Sequence, residues 1–131
     1  MATGRAWDAT EDVTAETPQL PPDIVTMRAT AGRLLGPDGC PEALPPSAAE
    51  VDLLIQTMRG QLELLVPEVE RMTGRAARTV AQYCAAACVG EARGKLRAEP
   101  LPGLSGAVAY ARRLARVLGA LCDHYERLSS S

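Results

Sequence analysis

A chain of 131 residues with 47% apolar residues, no Phe, one Trp and three Tyr holds one hydrophobic core, because a second would leave each half below the size that folds alone. Core volume must then come from aliphatic side chains at helical spacing, which predicts an all-α fold. The net charge of −2 hides a division: residues 1–70 carry four Arg against twelve acids, whereas 71–131 carry ten Lys or Arg against four acids. Such asymmetry predicts either attraction between the two halves or an anionic partner for the second.

No run of about 18 apolar residues exists, and the start of the chain lacks a basic stretch leading into a hydrophobic one, so neither a membrane span nor secretion is expected. The expected location is the cytoplasm, where Cys40, Cys84, Cys88 and Cys122 would be free thiols. Cys84 and Cys88, one helical turn apart, are also poorly placed to bridge each other.

Residues 1–20 are rich in Thr, Ala, Asp and Glu and cannot bury enough surface to offset the entropy of ordering, which predicts a flexible acidic tail. Trp7 is its single large apolar group. A first helix is expected from about Pro22 to Gly36, with Ile24, Met27, Ala31, Leu34 and Leu35 as its buried stripe, followed by a loop through Pro37, Asp38 and Gly39 to Pro46.

Ser47 and Glu50 form a capping-box pattern that opens the second helix. Val51, Leu54, Ile55, Met58, Leu62, Leu65, Val66, Val69 and Met72 recur at three and four to a stop near Gly74, giving one continuous apolar face. Pro67 lies off that stripe, which fits a bend with the ring toward solvent; a break into two helices is the other reading. Leu53, Gly60 and Leu64, with Thr57 beside them, make a narrower second stripe. Packing within the chain is expected to cover it, and left uncovered it would suggest a partner surface or dimer seam.

The third helix is expected over about Ala76 to Ala98, crowded with Ala77, Ala81, Cys84, Ala85, Cys88, Val89 and Ala92 and closing with Leu96. Small side chains allow close approach of neighbouring helices, although Gly90 and Gly94 weaken the helix. Pro100 and Pro102 end it. The fourth helix begins near Leu104 or Ser105 and runs to Leu128, its stripe being Leu104, Val108, Ala111, Leu114, Ala115, Leu118, Leu121, Cys122, Tyr125 and Leu128. Short linkers make consecutive helices antiparallel, so the expected architecture is an antiparallel helical bundle of three long helices plus a shorter N-terminal one over residues 21–128, with 129–131 frayed.

No ExxH pair, GxxxxGK[ST], GxGxxG or GxSxG pattern occurs, and no catalytic residue or cofactor is expected. Three thiols, Cys84, Cys88 and Cys122, could converge in the core as a ligand set, but among Ala and Leu, with no matching CxxC or HxxxH pair, each reads better as a small buried hydrophobe, and no metal is expected. His124 is expected on the outer face with Arg113 and Arg127, too far to serve a cysteine as base. Arg93 and Arg97 on the third helix, with Arg112, Arg113 and Arg116 on the fourth, form a candidate interaction face. Phosphates could meet it, but no helix-turn-helix is legible and an Asp123–Arg127 pair would dilute the charge, so nucleic acid is not the expected partner.

The run CVGEARGKLRAEPLPGLSGAVAYARRLARVLGALCDHYERL, residues 88–128, resembles a family of short actinobacterial proteins carried as a domain of unknown function and labelled natural product biosynthesis proteins. The segments LLGPDGCPEALPP and MRGQLELLVPEVE are similar to the same family, so the resemblance covers about residues 24–128. It brings no catalytic residue, ligand or fold. GEAR at residues 90–93 and ARRLARVL at 111–118 look like the family's core motifs, which implies that a shared site would lie between the third and fourth helices, with Glu91, Arg93 and Arg112 as an inter-helix polar group. The functional expectation is a non-enzymatic accessory or regulatory protein that presents helical surface to a protein partner, homo-oligomerisation being compatible. A small-ligand or metal sensor built on the thiols, and weak nucleic-acid binding through the arginines, are the other classes.

Overall fold

The computed structural model describes residues 20–35, 46–74 and 77–130. The expected tail, the loop after the first helix, Trp7 and Cys40 lie outside them. Among the described residues the fold has four helices: α1 (Ile24–Leu35), α2 (Ala48–Thr73), α3 (Val80–Arg97) and α4 (Gly103–Ser129). Three long helices and a shorter first one form an all-α bundle.

Local chemistry sets the ends. The carboxylate of Asp23 accepts from the Thr26 backbone N–H at 3.1 Å and the Thr26 hydroxyl at 2.7 Å, capping donors that the first turn of α1 leaves free. Ser47 accepts from the Glu50 N–H at 3.1 Å, but only this half of the expected capping box stands: the Glu50 carboxylate meets Arg33 of α1 at 2.5 Å instead. α2 runs unbroken through Pro67, whose ring is exposed, and ends at Gly74 with φ 72°. The third helix starts at Val80, four residues later than expected, because Thr79 and Gln82 form a complete capping box there. Gly103, at φ 85°, turns the chain out of Pro102 into α4, a conformation that glycine adopts without strain.

Consecutive helices run antiparallel. Their arrangement is a flattened rhombus: α2 and α4 make the most extensive contact, α3 packs on both, α1 rests mainly on α4 and lightly on α2, and α1 and α3 do not meet. Because α1 is antiparallel to α2, and α3 to both α2 and α4, the two central helices point the same way. Arg59 of α2 meets Tyr110 of α4, and Arg71, further along, senses Tyr125. The core is centred on this pair, with Val51, Met58, Leu62, Leu65 and Val69 facing Leu114, Leu118 and Leu121, all fully enclosed.

Four expectations are corrected by this packing. Leu35 and Leu104, assigned to the buried stripes, are partly exposed at 39% and 49%, each at a helix end. Cys84 is exposed. Leu53 and Leu64 are 65% and 66% exposed, so among the described residues the second stripe of α2 is not covered; α1 leans toward α4 and leaves it open. Conversely Tyr110 and Val117 are buried, because α4 touches three helices and its inner face is wider than one heptad seam; Thr73, at the end of α2, is buried with its hydroxyl donating to the Glu70 carbonyl at 2.8 Å.

Candidate functional site

The arginines form two groups. Arg93 reaches across to α2, where its guanidinium meets Glu70 at 2.5 Å. Glu91 sits 3.9 Å from Lys95, one turn along its own helix, and Arg112 is exposed on α4. Glu91, Arg93 and Arg112 therefore have separate surroundings and do not form one polar group. Arg97, Arg112, Arg113 and Arg116 are exposed and have no carboxylate partner among the described residues. Arg112 and Arg116 are one turn apart, with Arg113 flanking them, so α4 carries a contiguous cationic strip.

Charge on the same strip reverses further along. Asp123 was expected to neutralise Arg127; it instead meets Arg28 of α1 at 2.8 Å, and Glu126 takes the other arm of that guanidinium. Donation of its N–H groups to Asp123, then to Glu126, holds the Arg28 pKa above its ordinary value. The acids of α4 are thus committed to α1, which leaves Arg112 and Arg116 uncompensated.

The thiols do not gather. Cys88 and Cys122 are buried while Cys84 is exposed, and among the described residues no group of three His, Cys, Asp or Glu side chains is placed to hold a metal ion. Burial pushes Cys88 up to about 11, with the charges of Glu91 and Asp123 adding to it. Cys122 is also pushed up to about 11, mainly by burial, against the pull of Arg28. Both remain protonated thiols at neutral pH, which makes them weak nucleophiles. His124, expected on the outer face, is half-buried, and its Nδ1 is enclosed without a hydrogen-bond partner. Burial, then the charge of Arg127, lowers its pKa against the opposing charge of Asp123.

A polar node that the pattern of residues did not signal lies inside the bundle. Arg59 donates to the Tyr110 hydroxyl and, at 2.6 Å, to the carbonyl of Leu96; the same hydroxyl lies 2.8 Å from the Lys95 carbonyl and 3.2 Å from that of Ala98. A cation and a phenol thereby satisfy the last carbonyls of α3, where the helix leaves acceptors unpaired and the dipole favours positive charge. The faint signal is an Arg abutting the apolar stripe between Met58 and Leu62. Nothing in the spacing says that its partners are backbone carbonyls.

Among the described helices none is long and apolar enough to cross a membrane. No curated protein and no solved structure matches the chain. Residues 25–130, spanning all four helices, match the model of DUF6415, a family of unknown function, and the chain belongs to that family.

Proposed function

We propose that this protein is a non-enzymatic accessory or regulatory factor that binds a protein partner through the exposed arginines of α3 and α4. The observation that carries the reading is the contrast between Arg28, Arg33, Arg71 and Arg93, each held by a carboxylate, and Arg97, Arg112, Arg113 and Arg116, which have none among the described residues. The carboxylates in ion pairs are committed to other cations, and exposed acids outside them, among them Asp52, Glu63 and Glu99, do not pair with these four arginines, which leaves a cationic surface without an internal role. Exposed Leu101 and Leu104 adjoin Arg97 in the chain, and arginine beside apolar groups is the composition enriched in interfaces. The partner surface would be acidic, with charge steering the encounter.

The resemblance to proteins labelled for natural product biosynthesis supports placing this role in such a pathway of an actinobacterium. Free thiols at Cys84, Cys88 and Cys122 suit a reducing cytoplasm.

The test is affinity capture from native cells with the full chain, followed by titration of the purified partner against the wild type and against the Arg97→Glu, Arg112→Glu, Arg113→Glu, Arg116→Glu variant. The expected result is a stoichiometric acidic partner whose affinity the variant loses. Recovery of this chain alone, or equal binding by the variant, refutes the reading. Tight, strongly salt-dependent binding to DNA or RNA in place of protein would assign the surface to phosphates.

A further inference from the structure

The loose contact between α1 and α2 leaves a groove of about 460 Å³ where the chain enters the bundle, within the size range of small-molecule sites. Its apolar walls include Leu20, Met27 and Leu64. Among the described residues its charged groups are the carboxylates of Asp23 and Glu68, and no Lys or Arg lines it.

What the polar groups have left to offer is acceptance. Gln61 donates its amide to the Thr30 hydroxyl at 3.1 Å, while its carbonyl oxygen is enclosed and accepts nothing. Asp23 accepts from Thr26 and Glu68 accepts from Arg71 at 2.7 Å, which leaves acceptor sites open on both carboxylates. The acids of residues 1–19, four against one Arg, would be repelled by Asp23 and Glu68, which disfavours that segment as the occupant.

We infer that this groove binds a small organic cation, an ammonium carried on an apolar body. The apolar part would lie against Leu64 and Met27 and the ammonium between Asp23 and Glu68. The inference does not depend on the arginine surface.

The test is NMR titration of the full chain with 2-phenylethylamine, its neutral counterpart 2-phenylethanol and its anionic counterpart 3-phenylpropionate. The amine is expected to shift Thr26, Met27, Leu64 and the Gln61 side-chain amide saturably, the alcohol to bind about tenfold more weakly and the carboxylate not at all. Two variants should each weaken amine binding by about tenfold or more. Asp23→Asn with Glu68→Gln keeps the helix cap, since Asn caps as well as Asp; Leu64→Arg places a cation on an exposed wall. Equal binding of amine and carboxylate, unchanged affinity in both variants, or no shift up to the solubility limit overturns the inference. So does a movement of the same resonances on Trp7→Ala without any probe, which would show the N-terminal segment already seated there.

Discussion

Arg59 and Tyr110 meet across the two parallel central helices and together close the C-terminus of α3. Three helices therefore share one hydrogen-bonded junction, in which each member holds another's partner in place. Tyr110 is 2% exposed, so water cannot replace a lost bond there. Tyr110→Phe is expected to cost about 1–3 kcal/mol in urea unfolding, and Arg59→Met a similar amount, because the first removes donation to the Lys95 and Ala98 carbonyls and the second donation to the Leu96 carbonyl at a part-buried junction. The double variant should fall short of the sum by about 0.5–3 kcal/mol. Strict additivity would mean that the two side chains act independently.

Two glycines of α4 should respond oppositely to alanine. A methyl group at Gly106 would lie 2.6 Å from the carbonyl carbon of Leu101, where the chain folds back on the first turn of the helix, while one at Gly119 would meet nothing within 4 Å. Gly106→Ala is expected to destabilise by about 1–3 kcal/mol through overpacking. Gly119→Ala should stabilise by about 0.4–1 kcal/mol through the lower entropy of the unfolded chain. Thermal unfolding of the pair decides it; a shared sign would contradict the contact at Leu101.

The thiols should differ in reactivity. In a Cys40→Ser background, Ellman's reagent is expected to modify Cys84 promptly at pH 8, Cys122 slowly through local release of α1, and Cys88 only on unfolding. Because the folded state holds both buried thiols up to about 11 from an ordinary 9.0, their contribution to stability is complete below pH 9. It is lost as pH rises from about 9 toward 11, where only the unfolded chain ionises. Stability that stayed level over that window would show both thiols to be solvated.

His124 is the sole histidine of the chain, so its ring proton resonance can be followed without ambiguity. Burial and Arg127 lower its pKa, and the midpoint should fall below 6.5. The unfolded chain then takes up the proton first, so the stabilising contribution is present above about pH 6.5 and is lost as pH falls through the folded midpoint. His124→Gln should flatten that part of the stability profile. A midpoint at or above 6.5 would place the ring in water.

Periodicity carried the helices well wherever one face meets one neighbour. On α2, Met58, Leu62, Leu65 and Val69 were legible because a long uninterrupted stripe has one interpretation. It failed where the answer depends on which helix sits beside which. The exposure of Leu53 and Leu64 follows from α1 choosing α4, and the burial of Tyr110 and Val117 from α4 having three neighbours. Charges were legible by position but not by partner: Asp123 had Arg127 one turn away and took Arg28, 95 residues distant, because α1 brings a guanidinium that reaches two acids at once. The Thr79–Gln82 box was readable as T-x-x-Q, but the small residues before it mimic a helix and pulled the expected start forward.

The lopsided seat of α1 has a kinetic side. At 12 residues it is too short to persist as a helix in isolation, and the ion pairs of Arg28 and Arg33 that fasten it are partly solvated, hence weak and screened by salt. Of the four rods it is the one whose release forfeits least, so its amides should exchange earliest, well before the remainder of the domain unravels. Ionic strength then acts as a dial on those excursions, and the sulfur of Cys122, whose surroundings include Arg28, becomes their built-in reporter.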